Sequence, residues 1–240
     1  MKIKNAVIAG MLAACISGAA QAALQARDLD GNTATAEAYY DDDFNITWLK
    51  DANLAASNGF GLVQGGYSSY NFNGTLTWDV AQTWFAAMNA QNYMGYNDWR
   101  LPSALNRDGS GPCSPNRCTS SEMGHLYFEE LGGVSGGSIA SSTDSDLSLF
   151  SNLLPGIYWT STAYTANPHD PRWVWWFAMD QSTQGFTLKS EVHYAWVVRS
   201  GDSGVSVAAP IPEPETYAML LAGLGLLGLT ARRRKQKLNA

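Results

Sequence analysis

Basic side chains are scarce in this chain. Between Ala23 and Ala231 only eight Lys or Arg stand against twenty-one Asp or Glu, so nucleic acid and anionic membrane surfaces are poor partners and none of nucleic-acid type is expected. Histidine is scarcer still, at three in 240 residues. No H-E-x-x-H, G-x-S-x-G or glycine-rich phosphate loop occurs, which removes the signatures of zinc proteases, α/β-hydrolases and phosphate-loop enzymes. His125 falls near Glu122 and Glu129 at helical spacings, but no second histidine stands nearby, and the reading is a solvated helix face rather than a zinc site. Cysteine is limited to Cys15, Cys113 and Cys118. With Cys15 in an apolar leader, the remaining even pair reads as one disulfide in an exported chain. The loop "CSPNRC" carries Pro115 and Asn116, which suit a turn that brings the thiols together.

The two ends do not look like parts of a folded domain. "MKIKNAVIAGMLAACISGAAQAA" has Lys2 and Lys4, an apolar stretch from Ala6 to about Ala20, and Ala20-Gln21-Ala22 in small-x-small form. That predicts a signal peptide over 1–22 cut between Ala22 and Ala23. Leu12-Ala13-Ala14-Cys15 also fits a lipobox, in which Cys15 would be lipidated. At the other end, Pro212-Glu213-Pro214 precedes an apolar run over 217–231 and then Arg232, Arg233, Arg234 and Lys235. Fifteen residues make roughly 22 Å of helix at ~1.5 Å per residue, against a hydrocarbon core of ~30 Å, so the run is short for a permanent span. The basic cluster would stay cytoplasmic and leave the acidic part outside. What remains is roughly one domain's length, 23–205, with a linker over 206–211.

Within that domain two helices are predicted. In "TWDVAQTWFAAMNAQNYMG" Thr77 is a good N-cap, Val80, Trp84 and Met88 recur every four residues, and Gly95 is a natural stop. In "SSEMGHLYFEELGG" Ser121 caps, Met123, Leu126, Tyr127 and Leu131 form the apolar stripe, and Gly132 closes it. The Gly- and Ser-rich segment 132–148 reads as a connection or a mobile flap. After it come "GIYWTSTAY", "RWVWWFAMD", "GFTLKS" and "YAWVVRSGD", aromatic and β-branched runs separated by turn material. In the second of these, Trp173, Trp175, Phe177 and Met179 alternate with Val174, Trp176 and Ala178, so both faces are covered. Helices first, strands later and no βαβ rhythm give α+β with a mainly antiparallel sheet.

Taken in order, "YNDWRLPSALN", "GIYWTSTAY" and "YAWVVRSGD" resemble the Lcl C-terminal-like domain family, of the C-type-lectin and formylglycine-generating-enzyme fold group. The resemblance runs from "DDDFNITWLKDAN" to about Asp202. It implies a single compact C-type-lectin-like domain whose first and last strands pair, in proteins that are exported or surface-located, some of them implicated in binding sulfated polysaccharide. The tail resembles the PEP-CTERM sorting signal, here 212–237, which implies processing by an exosortase after transient anchoring in the inner membrane, and delivery to the cell surface or extracellular matrix.

Tryptophan supplies the candidate ligand contacts. Trp159, Trp173 and Trp176 lie in the strand half and could stack on sugar rings, with Arg172, Arg100 or Arg199 holding acidic groups; core packing is the competing reading for each indole. In "WRLP", Trp99 reads as a packing anchor and Arg100 as an ion-pair partner. The lectin resemblance raises calcium, for which Asp41, Asp43 and Asp98 are the candidate ligands. However, Asn97-Asp98-Trp99 departs from the Trp-Asn-Asp run of sugar-binding lectins and no Glu-Pro-Asn occurs, so a solvated acidic face is the default and no cofactor is expected. The same fold group suggests formylglycine-generating oxidation at Cys113 and Cys118, but the pair follows "WRLP" instead of lying late in the domain. A turn-stapling disulfide is the reading, and no enzyme activity is expected. The functional expectation is a polysaccharide-associated binding domain, with a structural or adhesive protein-binding matrix component as the alternative.

Overall fold

Alternation of large apolar and polar residues builds three short β-ladders, and one of them joins the two ends of the domain. The computed structural model describes residues 24–65, 69–166 and 170–207. The expected signal peptide with Ala22 and Ala23, and the tail with Pro212, Glu213, Pro214 and the 217–231 run, lie outside the described residues. Among the described residues no helix is long and apolar enough to cross a membrane.

Strands β1 (Gln25–Asp28), β2 (Ala38–Asp41) and β3 (Ile46–Leu49) are flanked by β9 (Val198–Ser200) and β10 (Val205–Ser206), in the order β10-β1-β2-β3-β9. The first strand thus pairs with the last, Arg27 opposite Ser206. Arg27, 4% exposed, reinforces the join by a forked contact with Asp202 from its Nε and Nη2. β4 (Leu76–Thr77) pairs with β8 (Val192–His193), and β5 (Ile157–Ala163), β6 (Trp173–Ala178) and β7 (Thr183–Leu188) form a three-stranded antiparallel sheet. Two helices, α1 (Trp78–Ala90) and α2 (Glu122–His125), complete an α+β domain.

The central strands carry core on both faces. Trp48, Tyr127, Tyr158, Phe177 and Trp196 belong to one apolar cluster, and Trp84, Trp99, Trp159, Val174 and Val197 to another. Neighbours Tyr158 and Trp159, and Trp196 and Val197, therefore point into opposite cores, as a period of two requires. Four of the buried indoles tie the layers by donating to backbone carbonyls: Trp84 to Asn58, Trp99 to Tyr93, Trp159 to Leu76 and Trp196 to Leu49. An indole that is buried and hydrogen-bonded adds packing area without leaving a polar atom stranded.

Thr77 occupies the N-cap of α1 with extended backbone, and Ala81, Trp84 and Met88 are the buried stripe. The helix stops before the expected Gly95, because Asn92 adopts φ 49°, a left-handed geometry that asparagine tolerates. Ser121 caps α2 by accepting from the Gly124 N–H. Beyond His125 the ladder widens to a π-helical turn, Leu126–Glu130, with the Leu131 N–H donating to the Leu126 carbonyl. The 132–148 connection is pinned rather than flap-like: Ile139 is buried, its N–H donates to the Met179 carbonyl, and Ser142 Oγ donates to the Leu131 carbonyl.

Candidate functional site

At the outer end of the three-stranded sheet the core runs out and aromatic side chains are left facing solvent. Register places Trp175 opposite Phe186 and Trp173 opposite Leu188. Phe186 is 40% exposed and stacks on Tyr164 with ring centroids 4.0 Å apart. Trp173 and Trp175 meet the same ring edge-on, at 5.9 and 5.4 Å. Trp173 is half-buried and donates its indole N–H to Asp170, which also grips the exposed Arg172 through two hydrogen bonds. The Arg172 guanidinium holds the Asp170 carboxyl far below the ordinary carboxylate range. Beside Arg172 lies a cleft of about 390 Å³ lined also by Thr77, Asp79, Leu188, Lys189 and Ser190. Lys189 Nζ sits 4.4 Å from the centroid of Trp78, a cation–π contact.

This arrangement joins Trp173 with Arg172 but excludes the other two indoles to different degrees. Trp159 is fully buried between Leu76 and His193, its N–H spent on the Leu76 carbonyl, so it cannot stack on a ligand. Trp176 is half-buried and lies across Gly185, where a Cβ would come within 2.6 Å of its ring. The three arginines considered for acidic groups are each engaged. Arg100 makes a bidentate pair with Glu122, Arg172 with Asp170, and Arg199 with Asp98 while lying 3.9 Å over the Tyr96 ring.

The calcium candidates separate. Asp98 is a partner of Arg199, whose hydrogen bond lowers its carboxyl below the ordinary value. Asp41 and Asp43 instead sit in the β2–β3 turn "DDDFN", where Asp41 accepts from the Phe44 N–H and Asn45 takes the left-handed conformation at φ 53°. Facing this turn is His125, 8% exposed, which corrects the expectation of a solvated helix face. Its Nε2 lies 3.8 Å from Asp41 Oδ1, 3.6 Å from Asp43 Oδ2 and 3.2 Å from Glu130 Oε1. Glu122, expected beside it on that face, is buried against Arg100, and Glu129 is exposed. The π-helical turn explains Glu130. On an α-helix a residue five positions on points away from the first, whereas a ladder of i→i+5 bonds turns it back onto the same face.

Burial dominates the electrostatics of this cluster without silencing it. It raises the Asp41 carboxyl above its usual range, against the opposing Phe44 N–H and His125. For His125 burial pulls downward, but Glu130, Asp41 and Asp43 together leave the imidazole above its ordinary 6.5. Glu130 is within hydrogen-bonding distance, yet the ring N–H is not directed at it, and both His125 Nε2 and Asp41 Oδ2 are buried without a hydrogen-bond partner. Asp41, His125 and Glu130 offer ligand atoms within 4.8 Å of one another. A disulfide joins Cys113 and Cys118, and its loop is docked on β7 by Gln184, which donates to the Cys113 and Pro115 carbonyls.

Residues 210–235 match the PEP-CTERM protein-sorting motif. No curated protein and no solved structure matches the chain. The motif marks the chain as exported and sorted by an exosortase, with a transient membrane-anchored stage.

Proposed function

We propose that this exosortase-sorted chain presents a non-catalytic domain that associates with extracellular polysaccharide at the cell surface or in the surrounding matrix, through the Tyr164, Trp173 and Phe186 platform. The observation that carries the reading is the half-exposed aromatic cluster at the sheet end, bordered by a cleft that Arg172, Asp79 and Ser190 line. Sugar rings present apolar C–H faces that stack on such surfaces, while Arg172, Asp170, Asp79 and Ser190 offer hydrogen-bonding groups to hydroxyls. Because Arg172 is already neutralised by Asp170 and Lys189 lies over Trp78, the site suits neutral or sparsely charged sugars better than a sulfated chain. The resemblance of "YNDWRLPSALN", "GIYWTSTAY" and "YAWVVRSGD" to the Lcl C-terminal-like, lectin-type domains supports the same reading.

The test is a glycan array together with the producing cell's own exopolysaccharide, against an unrelated acidic protein. Signal no higher than that control on every sugar overturns the proposal. A protein-binding, adhesive role is the second reading, favoured by Val63 and Phe72, which are 87% and 75% exposed. Protein partners retained after enzymatic removal of all glycan would select it.

A further inference from the structure

We propose that Asp41, His125 and Glu130, assisted by Asp43, form a binding site for one divalent transition cation of the zinc class, which fastens the β2–β3 turn to the helical segment that starts at Ser121. A cluster of acids alone would be a poor argument, since carboxylates gather on many acidic surfaces. Here the three principal donors are buried: Asp41 is 2% exposed, Glu130 6% and His125 8%. Two of their polar atoms, His125 Nε2 and Asp41 Oδ2, have no hydrogen-bond partner despite that burial, a state that ordinarily costs stability for each atom.

Geometry separates a cation site from a plain ion pair. An imidazolium held by carboxylates would aim its N–H along one of them, because a charge-assisted hydrogen bond is strongest when straight. The Nε2 makes a hydrogen bond to none of them, although three carboxylate oxygens stand 3.2, 3.6 and 3.8 Å from it. Four ligands around zinc at about 2.0–2.1 Å stand about 3.4 Å apart along the edges of the tetrahedron; the nitrogen–oxygen distances of 3.2, 3.6 and 3.8 Å bracket that value, and the donor atoms of Asp41, His125 and Glu130 all lie within 4.8 Å of one another. The donor set, one imidazole and carboxylates, selects zinc-like ions over calcium, which takes oxygen alone. Asp43, its side chain 45% accessible and its Oδ2 3.6 Å from Nε2, stands outside the compact set of three donors and marks the entry path, from which it can close on a bound ion. Phe44 packs on the imidazole at 4.7 Å, and Arg107 lies over the Phe44 ring at 5.6 Å.

The site would act structurally. It links two segments far apart in sequence, and cation binding to the folded form alone stabilises it by mass action. The experiment uses the tag-free full chain in detergent, stripped with chelator and then dialysed separately against Zn²⁺, Mn²⁺ or Ca²⁺, with bound metal measured by elemental analysis and melting followed in parallel. The expected result is about one Zn²⁺ per chain, a rise in Tm on zinc addition, loss of both in His125→Gln, and at least tenfold weaker binding in Asp43→Asn. Because Asp43 is half-exposed and Asp43→Asn keeps its size and shape, that second variant is expected to fold even if His125→Gln does not. Cobalt substitution should give the visible absorption of a four-coordinate ion. No stoichiometric zinc on the wild-type chain, zinc retained at full affinity in Asp43→Asn and His125→Gln, or preference for calcium each overturns the assignment.

Discussion

His193 should make the domain acid-sensitive by an amount that can be worked out beforehand. The imidazole lies against the buried Trp159 ring at 4.4 Å, its Nε2 is buried without a partner, and burial pushes its pKa down to about 4 from 6.5. A histidine depressed in the folded state contributes stability that is present above the unfolded value and is lost as pH falls toward the folded one. Between about pH 7.5 and about pH 4.5 the unfolded chain takes up this proton and the folded chain largely does not, which is worth about 2.5 kcal/mol before screening. Partial solvent access and the cation–π attraction of an imidazolium for Trp159 reduce this to about 1.5 kcal/mol. His193→Phe removes the titration while keeping an aromatic ring beside Trp159. Urea unfolding of wild type and variant at both pH values isolates the residue from the many carboxylates that titrate in the same range. The variant should lose about 1.5 kcal/mol less than wild type on acidification. Equal losses would show that His193 is not held neutral and refute the burial argument.

Trp159→Ala should cost about 3–5 kcal/mol in urea unfolding, because it empties a fully buried site and removes the indole donor to the Leu76 carbonyl; a loss below about 1 kcal/mol would contradict its place in the core. Gly124→Ala should destabilise by at least about 2 kcal/mol, since a Cβ there meets the Cys118 carbonyl oxygen at 1.7 Å, and an unchanged urea midpoint would mean that the helix does not approach the disulfide loop so closely. Cys113→Ser with Cys118→Ser should lower stability by about 2 kcal/mol, the amount chain entropy gives for so small a ring. A complete failure to fold would instead assign the bridge a fold-wide role.

Local pattern made much of this legible. The four-residue recurrence of α1, the Ser121 cap and the two-sided alternation of β6 all follow from periods that backbone geometry imposes. The pairing of the first and last strands came from resemblance to a family, and no local signal carries it. The candidate sites were harder for stated reasons. Trp159 and Trp173 both alternate in aromatic strands, yet only the end of the sheet decides that Trp173 reaches solvent. Glu130 was invisible beside His125 because α-helical spacing selects Glu122 and Glu129, and the π turn that rephases the helix leaves no mark in composition. Asp41 and Asp43 stand out in the sequence as acids, but their partner lies more than eighty residues away.

Loss of polysaccharide association on removing the aromatic platform tests the central proposal most directly. Wild type, Trp173→Ala, Phe186→Ala and the double variant should be compared by co-sedimentation with the exopolysaccharide, using detergent-solubilised full chain whose melting curves confirm folding. Phe186 is already 40% exposed, so its truncation costs little stability, while each lost stacking surface weakens association by about 1 kcal/mol, or roughly fivefold. The account predicts wild-type association that falls about fivefold in each single variant and further in the double. Wild-type association that persists undiminished in the folded double variant would contradict it.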